Sequence, residues 1–539
     1  MEILEVKNLK FLYPTRMQPT LREVSFTVKA GEFVVLCGDT GSGKTTLLRL
    51  LKKELSPRGI INGEILFDGC KIENVDSERI GYVMQQPDEQ IVTDKVYSEL
   101  AFGLENMGVS QSVIASRIAE ISSYFGIEDW YDRDVFTLSG GQKQLLNLAA
   151  IMVMSPDILI LDEPTSQLDP ISTSNFFDVL KKLNNDFSTT IIIVEHRLEE
   201  LMQMCDRMLI MSGGRIVENG EPRTVVAKLN KKSKLQLSIP TAARLYHTLY
   251  DDGECPLTVR EGRRFIESNY RNDILFLEDE NYIHSDKKAL EFKDVYFRYE
   301  RTLPDVLNGL NLTVYENEIF CILGGNGSGK TTALSCASGV LKIYSGQIRV
   351  FGKKLKAYDG QSLYHNCLTL LPQDVQSVFL HNTVREELKE VNIDIVELPF
   401  DLYHLLDIHP FDLSGGEQQL VALIKILASN PQMILMDEPT KGLDPVKKHD
   451  FIEFLKKLRS DNITLIIVTH DVEFAAMCAD RCALFFRGDI VSVGTPREFF
   501  SGNSFYTTAA SRMTKGYYQN TVTIEDIVEL CLKNGKRYI

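Results

Sequence analysis

The chain carries one plan twice, and this internal repeat bounds its architecture before any single motif does. GDTGSGKTT at 38–46 is answered by GGNGSGKTT at 324–332, and LSGGQKQ at 138–144 by LSGGEQQ at 413–419. ILILDEPTSQLDP at 158–170 matches MILMDEPTKGLDP at 433–445, and IIIVEHRLEE at 191–200 matches LIIVTHDVEF at 465–474. The strand openers agree as well, LEVKNLKFLYP at 4–14 with LEFKDVYFRYE at 290–300. Ser139 to Asp162 is 23 residues, and so is Ser414 to Asp437. One interval differs: Gln85 to Ser139 is 54 residues, whereas Gln373 to Ser414 is 41. The second copy is therefore expected to lack about one helix there. The expected division is a first domain at 1–222, its appendage and linker at 223–288, a second domain at 289–500 and its appendage at 501–539. The appendages are suggested by a weaker echo, SIPTAARLYHTL at 238–249 with FYTTAASRM at 505–513.

Each glycine-rich loop follows an apolar strand, FVVLCG or IFCILGG, and opens a helix. In that setting the backbone wraps phosphates, and the N–H groups and helix N-terminus supply positive potential. The loop residues are Gly38, Gly41, Ser42, Gly43 and Thr46 in the first copy, and Gly324, Gly327, Ser328, Gly329 and Thr332 in the second. Lys44 and Lys330 are placed to meet the β and γ phosphates, and Thr45 and Thr331 to bind Mg²⁺.

ILILDE and MILMDE read as buried parallel strands with acidic ends, at the edge where α/β sheets bind ligands. Asp162 and Asp437 are the candidate Mg²⁺ ligands, and Glu163 and Glu438 the groups that polarise the attacking water. His196 and His470 follow a further apolar strand and can reach the γ-phosphate edge. Gln85 and Gln373 end a strand where an amide can touch both metal and water. Together these fill the positioning roles that phosphoryl transfer needs. Ser139, Gly140 and Gly141, and likewise Ser414, Gly415 and Gly416, open a helix that offers an anion site without a lysine of its own.

This ordered set resembles the ATP-binding-cassette superfamily over nearly the whole chain. The resemblance implies two P-loop NTPase domains of α/β class in tandem, each with an antiparallel β subdomain and an α-helical subdomain. It implies an ATPase using ATP and Mg²⁺, and an adenine stacked on an aromatic side chain, the place held by Tyr13 and Tyr299. Domains of this family pair head to tail. One site would then join Tyr13, Lys44, Thr45, Gln85, Asp162, Glu163 and His196 with Ser414 and Gly416. The other would join Tyr299, Lys330, Thr331, Gln373, Asp437, Glu438 and His470 with Ser139 and Gly141. Glu417 replaces the signature glutamine, and the LD segments read SQLD and KGLD. Neither change removes a catalytic group, so two competent sites are expected.

Three kinds of cassette compete: the motor of a membrane importer, a soluble tandem cassette acting on the ribosome or in translation, and a DNA-repair or chromosome ATPase. QQPDEQIVTDKVYSELAFGLENMG, from Gln85 onward, resembles the ATPases of energy-coupling-factor importers of vitamins, vitamin precursors and transition metals. In that family this region receives a transmembrane coupling subunit, with a substrate-binding membrane subunit beside it, at the cytoplasmic face of the cell membrane. The net charge of −15 and the mixed-sign linker lack the electrostatics for RNA, so no nucleic-acid partner is expected. No coiled coil or zinc-ligand insertion supports DNA repair. No apolar run approaches the roughly 18 residues of a membrane span, so a membrane role must come through partners. The ten cysteines are scattered without a CxxC pair and read as reduced core residues. The transported substrate is not written in this chain, because a separate membrane protein selects it in that family.

Overall fold

The computed structural model describes residues 1–14, 16–166, 168–196, 198–230, 234–249, 253–277, 284–391, 402–504 and 506–536. They form two compact units, Met1–Thr258 and Val259–Ile539.

The first unit has two sheets. Leu21–Lys29, Glu2–Leu12, Ile60–Phe67 and Cys70–Lys71 form an antiparallel sheet in that order. The larger sheet runs Arg215–Gly220, Arg207–Ser212, Phe33–Gly38, Thr190–Val194, Ile158–Asp162, Ile80–Val83, parallel except for its first pair. Its inner strands are buried at every position and mostly apolar, because both faces are covered. Phe33, Val35 and Cys37 face one core with Leu100 and Leu146, while Val34 and Leu36 face another with Phe11 and Leu48. Successive side chains of a strand point to opposite faces, so one strand serves both cores.

The helical part is built from Val96–Asn106, Gln111–Phe125 and Gly140–Met152. Val96, Leu100 and Leu104 recur at the four-residue spacing of one helix face and are buried. Ile114 and Ile118 do the same, and Gly126, at φ 66°, ends that helix in the left-handed conformation.

The second unit repeats the plan. Its six-stranded sheet runs Leu368–Leu371, Met433–Asp437, Thr464–Thr469, Ile319–Leu323, Arg481–Phe486, Asp489–Gly494. Its antiparallel sheet runs Leu307–Tyr315, Lys288–Phe297, Ser345–Val350, Lys353–Lys354. Val384–Glu390 stands where the first unit has Val96–Asn106. Among the described residues nothing matches Gln111–Phe125; residues 392–401, where part of the shortened interval falls, lie outside them.

The segment 223–288 is divided by the fold. Pro222–Lys228 and Thr241–Leu249 belong to the first unit, where Thr241 N donates to Glu199 Oε2 at 3.2 Å. Val259–Asn269 belongs to the second unit and packs against Ala509–Thr514. Beyond it Arg271 N donates to Gly535 O at 3.2 Å, and Ile274 N to Asn534 Oδ1 at 2.7 Å. The helix is strongly charged and buries only Gly262 and Ile266, so short-range pattern does not reveal which core it joins. Residues 231–233, 250–252 and 278–283 of this segment, and 505 and 537–539 of the second appendage, lie outside the described residues.

Candidate nucleotide site

The sheet order brings the candidate residues together. In each unit the strand before the glycine-rich loop adjoins the strand before the histidine, which adjoins the strand ending in Asp-Glu, which adjoins the strand before the glutamine. These strands are parallel, so all four C-terminal ends open on one edge.

The loop geometry requires glycine. Gly38 lies at φ 146°, and a Cβ there would meet Met211 O at 2.0 Å. Gly324 has the same problem with Phe485 O, at 2.4 Å. Lys44 Nζ donates to Gly38 O at 2.8 Å and Asp39 O at 3.0 Å, and Lys330 Nζ to Gly324 O and Gly325 O at 2.8 Å. The ammonium is thus held over the mouth of its own loop. Ser42 Oγ and Ser328 Oγ are buried there with no hydrogen-bond partner among the described residues, as suits a cradle for a polar ligand. Tyr13 OH lies 3.1 Å from Thr46 Oγ1, and Tyr299 OH 3.1 Å from Thr332 Oγ1. Each aromatic side chain is therefore tied to the helix that follows its loop.

Thr45 Oγ1 donates to Asp162 Oδ1 at 3.2 Å, and Tyr82 OH to Asp162 Oδ2 at 3.1 Å. Burial, then the nearby Glu163 charge, pushes the Asp162 carboxyl up to about 6, against the opposing hydrogen bonds from Tyr82 and Thr45. Burial likewise lifts Asp437 to about 6, against a hydrogen bond from Thr331, and among the described residues its Oδ1 has no hydrogen-bond partner. Leu370 stands where Tyr82 does and offers no hydroxyl. A buried carboxylate with an unpaired oxygen beside a threonine hydroxyl is an all-oxygen donor set that suits Mg²⁺.

Glu163 and Glu438 have left-handed backbones, at φ 47° and φ 50°. Such a conformation costs a non-glycine residue about 1–3 kcal/mol and collects at functional sites. It is held by Glu163 N donating to Val194 O and Glu438 N to Val468 O, both at 2.9 Å. Glu163 Oε1 lies 3.0 Å from His196 Nε2, and Gln85 Nε2 donates to Glu163 Oε2 at 2.9 Å. Burial pulls the His196 imidazole down, but the Glu163 carboxylate outweighs it and leaves the ring easier to protonate than usual. In the second unit Glu438 Oε1 lies 3.0 Å from His470 Nδ1. Among the described residues Gln373 makes no hydrogen bond to Glu438.

Ser139 caps Gly140–Met152, accepting from Gln142 N at 3.4 Å while its own N donates to Gln142 Oε1 at 2.9 Å. Ser414 caps Gly415–Leu427 differently, its N and Oγ both donating to Glu417 Oε2, at 3.0 and 2.7 Å. Asp169 and Asp444 cap the helices beyond the Asp-Glu strands.

The ABC transporter family model matches residues 21–166 and 307–441, so both copies carry the same family signature. The chain belongs to the ABC transporter family. A Bacillus anthracis ABC transporter ATP-binding protein is 40% identical over 546 residues, spanning 98% of either chain. The fold is similar to that of the archaeal ribosome recycling factor aABCE1, solved with the ribosomal stalk protein aP1, at TM-score 0.58 and 20% identity over 91% of this chain and 90% of that one. The Clostridium perfringens cbiO1, part of the ABC transporter complex cbiONQ, is 33% identical over 42% of this chain and 91% of its own, at TM-score 0.39. ABC ATP-binding domains hydrolyse ATP, and this chain is accordingly a tandem ABC ATPase.

Two groups at the site escape a motif reading. Tyr82 lies in GYVM and touches Asp162 only because its strand adjoins the Asp-Glu strand. Glu195, immediately before His196, is buried at 3% exposure and accepts from Thr165 N at 2.8 Å and Thr165 Oγ1 at 2.6 Å. Its signal in the sequence is the mismatch of VEH with VTH.

Proposed function

We propose that this tandem ATPase is the motor of a membrane importer of the energy-coupling-factor type, carrying a vitamin, a vitamin precursor or a transition metal ion. The observation that carries the reading is the segment after Gln85. Its sequence resembles those importers, and it displays apolar Val92, Phe102 and Met107 at 64%, 39% and 41% exposure beside the helices Pro87–Gln90 and Val96–Asn106. Exposed apolar side chains along the segment that follows the Gln85 loop suit a protein partner. Gln90 links this surface to the site, because Met84 N donates to Gln90 Oε1 at 2.9 Å, one residue before Gln85. Among the described residues no helix is long and apolar enough to cross a membrane, so the reading places the chain peripherally, on the cytoplasmic face, held by a coupling subunit and a substrate-binding subunit.

In this reading each unit binds ATP on its glycine-rich loop, with Lys44 or Lys330 on the β and γ phosphates. Thr45 with Asp162, and Thr331 with Asp437, would hold Mg²⁺, Gln85 and Gln373 lying at the same edge. The ion supplies charge neutralisation for the transferring phosphoryl group. Glu163 and Glu438 orient and polarise water for in-line attack, and His196 and His470 hold the carboxylate and the γ-phosphate edge in register. The serine-glycine helix starts at Ser139 and Ser414 each complete the opposite unit's site, so that hydrolysis needs closure. Isolation of the chain from its native membrane with its bound integral proteins tests the importer reading. Recovery with ribosomes instead would favour the soluble tandem-cassette reading.

A further inference from the structure

Each appendage is tied to the turn that follows its unit's histidine. Glu199 and Glu473 lie three residues after His196 and His470, in the first turns of the helices Leu198–Leu201 and Val472–Cys478. The Glu199 carboxylate accepts from Thr241 N at 3.2 Å and from Thr241 Oγ1 at 3.5 Å. The Glu473 carboxylate accepts from Ala509 N at 2.7 Å. Thr241 and Ala509 open the appendage helices Thr241–Leu249 and Ala509–Thr514. The same Thr-Ala-Ala triplet, 241–243 and 508–510, supplies both helix starts and is buried in both units. The register differs by one residue, yet the bond to the glutamate is made each time. A carboxylate on a helix-start amide is a charge-assisted hydrogen bond, strengthened by the positive end of the helix. At the other end of each turn, His196 Nε2 and His470 Nδ1 lie 3.0 Å from Glu163 and Glu438. Two residues separate each latching glutamate from its histidine, so the spacer has little slack to absorb a shift of the appendage helix.

We propose that Glu199 and Glu473 are positioning residues for hydrolysis: each latches its unit's appendage to the histidine turn, so that the place of the appendage sets how well the imidazole is held at the reacting edge. Neither glutamate belongs to a phosphate loop, an Asp-Glu strand or an LSGG segment. The appendages thereby become an input to turnover, because anything that moves the helix start moves the histidine with it. This rests on the reading that His196 and His470 hold the carboxylate and the γ-phosphate edge in register.

The test is steady-state ATP hydrolysis by the full chain with Mg²⁺, both latches being altered together so that neither centre masks the other. Glu199→Ala with Glu473→Ala is expected to lower kcat roughly three- to tenfold with KM for ATP unchanged, the scale of one lost hydrogen bond. Glu199→Gln with Glu473→Gln, which keeps an acceptor oxygen without the charge, should lose only about twofold. Ala509→Pro removes the amide donor while suiting a first helical position, and Thr508 before it is already extended, at ψ 161°. Paired with Glu199→Ala it should match the alanine pair, and added to the alanine pair it should cost nothing more. A merely structural role would lower the unfolding temperature or raise KM and leave kcat alone. Wild-type kcat in the alanine pair overturns the proposal, as does a further loss when Ala509→Pro is added. Where the alanine pair does not fold, wild-type kcat in the glutamine pair overturns it instead. His196→Ala with His470→Ala separates the two readings. Wild-type kcat there shows the histidine reading to be wrong and the proposal with it, whereas a low kcat there beside wild-type kcat in the alanine pair overturns the latch alone.

Discussion

Thr45 and Asp162 are 117 positions apart in the chain, yet the hydroxyl of one donates to the carboxylate of the other at 3.2 Å. The contact joins the end of the phosphate loop to the end of the Asp-Glu strand, through the two residues proposed to hold Mg²⁺. It arises from sheet order: only the histidine strand, Thr190–Val194, lies between the two strands.

The glutamates give the first expectation. Glu163→Gln and Glu438→Gln should each trap ATP at their own centre and lower turnover there by roughly a hundredfold or more, the range for loss of a general base. Trapped-nucleotide photolabelling and steady-state hydrolysis read the two effects. Wild-type turnover and transport with either variant would contradict the expectation of two competent sites.

Pairing gives the second. Ser414→Arg should disable the centre built on Lys44, and Ser139→Arg the one built on Lys330, because an arginine at the helix start blocks approach to the γ-phosphate. Peptide mapping of photolabelled nucleotide assigns the damage. Loss confined to the centre in the same unit as the substitution would argue against head-to-tail closure.

Burial of charge gives the third. The folded-state carboxyl of Asp162 lies near 6 against an ordinary 3.8, so its ionised form costs stability at neutral pH, about 3 kcal/mol from the size of the shift. Asp162→Asn should therefore raise the unfolding temperature of the nucleotide-free protein at pH 7.5 while abolishing Mg²⁺-dependent hydrolysis. The sign follows from linkage: a raised carboxyl pKa penalises the fold above it, and the penalty fades as pH falls from about 6 toward 3.8. The stability gain of the variant should shrink over that same window. A gain independent of pH, or a loss at pH 7.5, would show that the Tyr82 and Thr45 hydrogen bonds outweigh burial.

Much of this site is legible in the residues alone. The loops, the Asp-Glu strands and the capped LSGG helices are local patterns, each carrying its own backbone requirement. The groups that escape such a reading act across strands. Tyr82 touches Asp162 through strand neighbourhood, and Leu370 at the matching place cannot. Glu195 and Thr469 differ by one letter, and only the fold shows that the letter redirects a histidine amide. Val259–Asn269 reads as part of the first appendage but belongs to the second unit, because its few buried side chains do not distinguish one core from another.

The partner surface yields the fourth expectation. In the second unit the segment after Gln373 carries Phe379 and Leu380. Phe379 is buried in the core, so its replacement tests folding, whereas Leu380 is 74% exposed. Val92→Asp with Phe102→Asp, and separately Leu380→Asp, should weaken membrane attachment or uncouple hydrolysis from uptake, with nucleotide binding intact. Co-sedimentation with native membranes and ATP affinity read the two properties. Unchanged attachment and uptake in both variants would remove the main support for a membrane partner.

The most direct measurement is recovery of the tagged wild-type chain from mild-detergent extracts of its native membrane, with identification of the proteins bound to it. The expected result is two integral membrane proteins in stoichiometric amounts, lost together in the Val92→Asp, Phe102→Asp variant. Recovery of the wild-type chain with ribosomal particles and no integral membrane protein would contradict the importer motor.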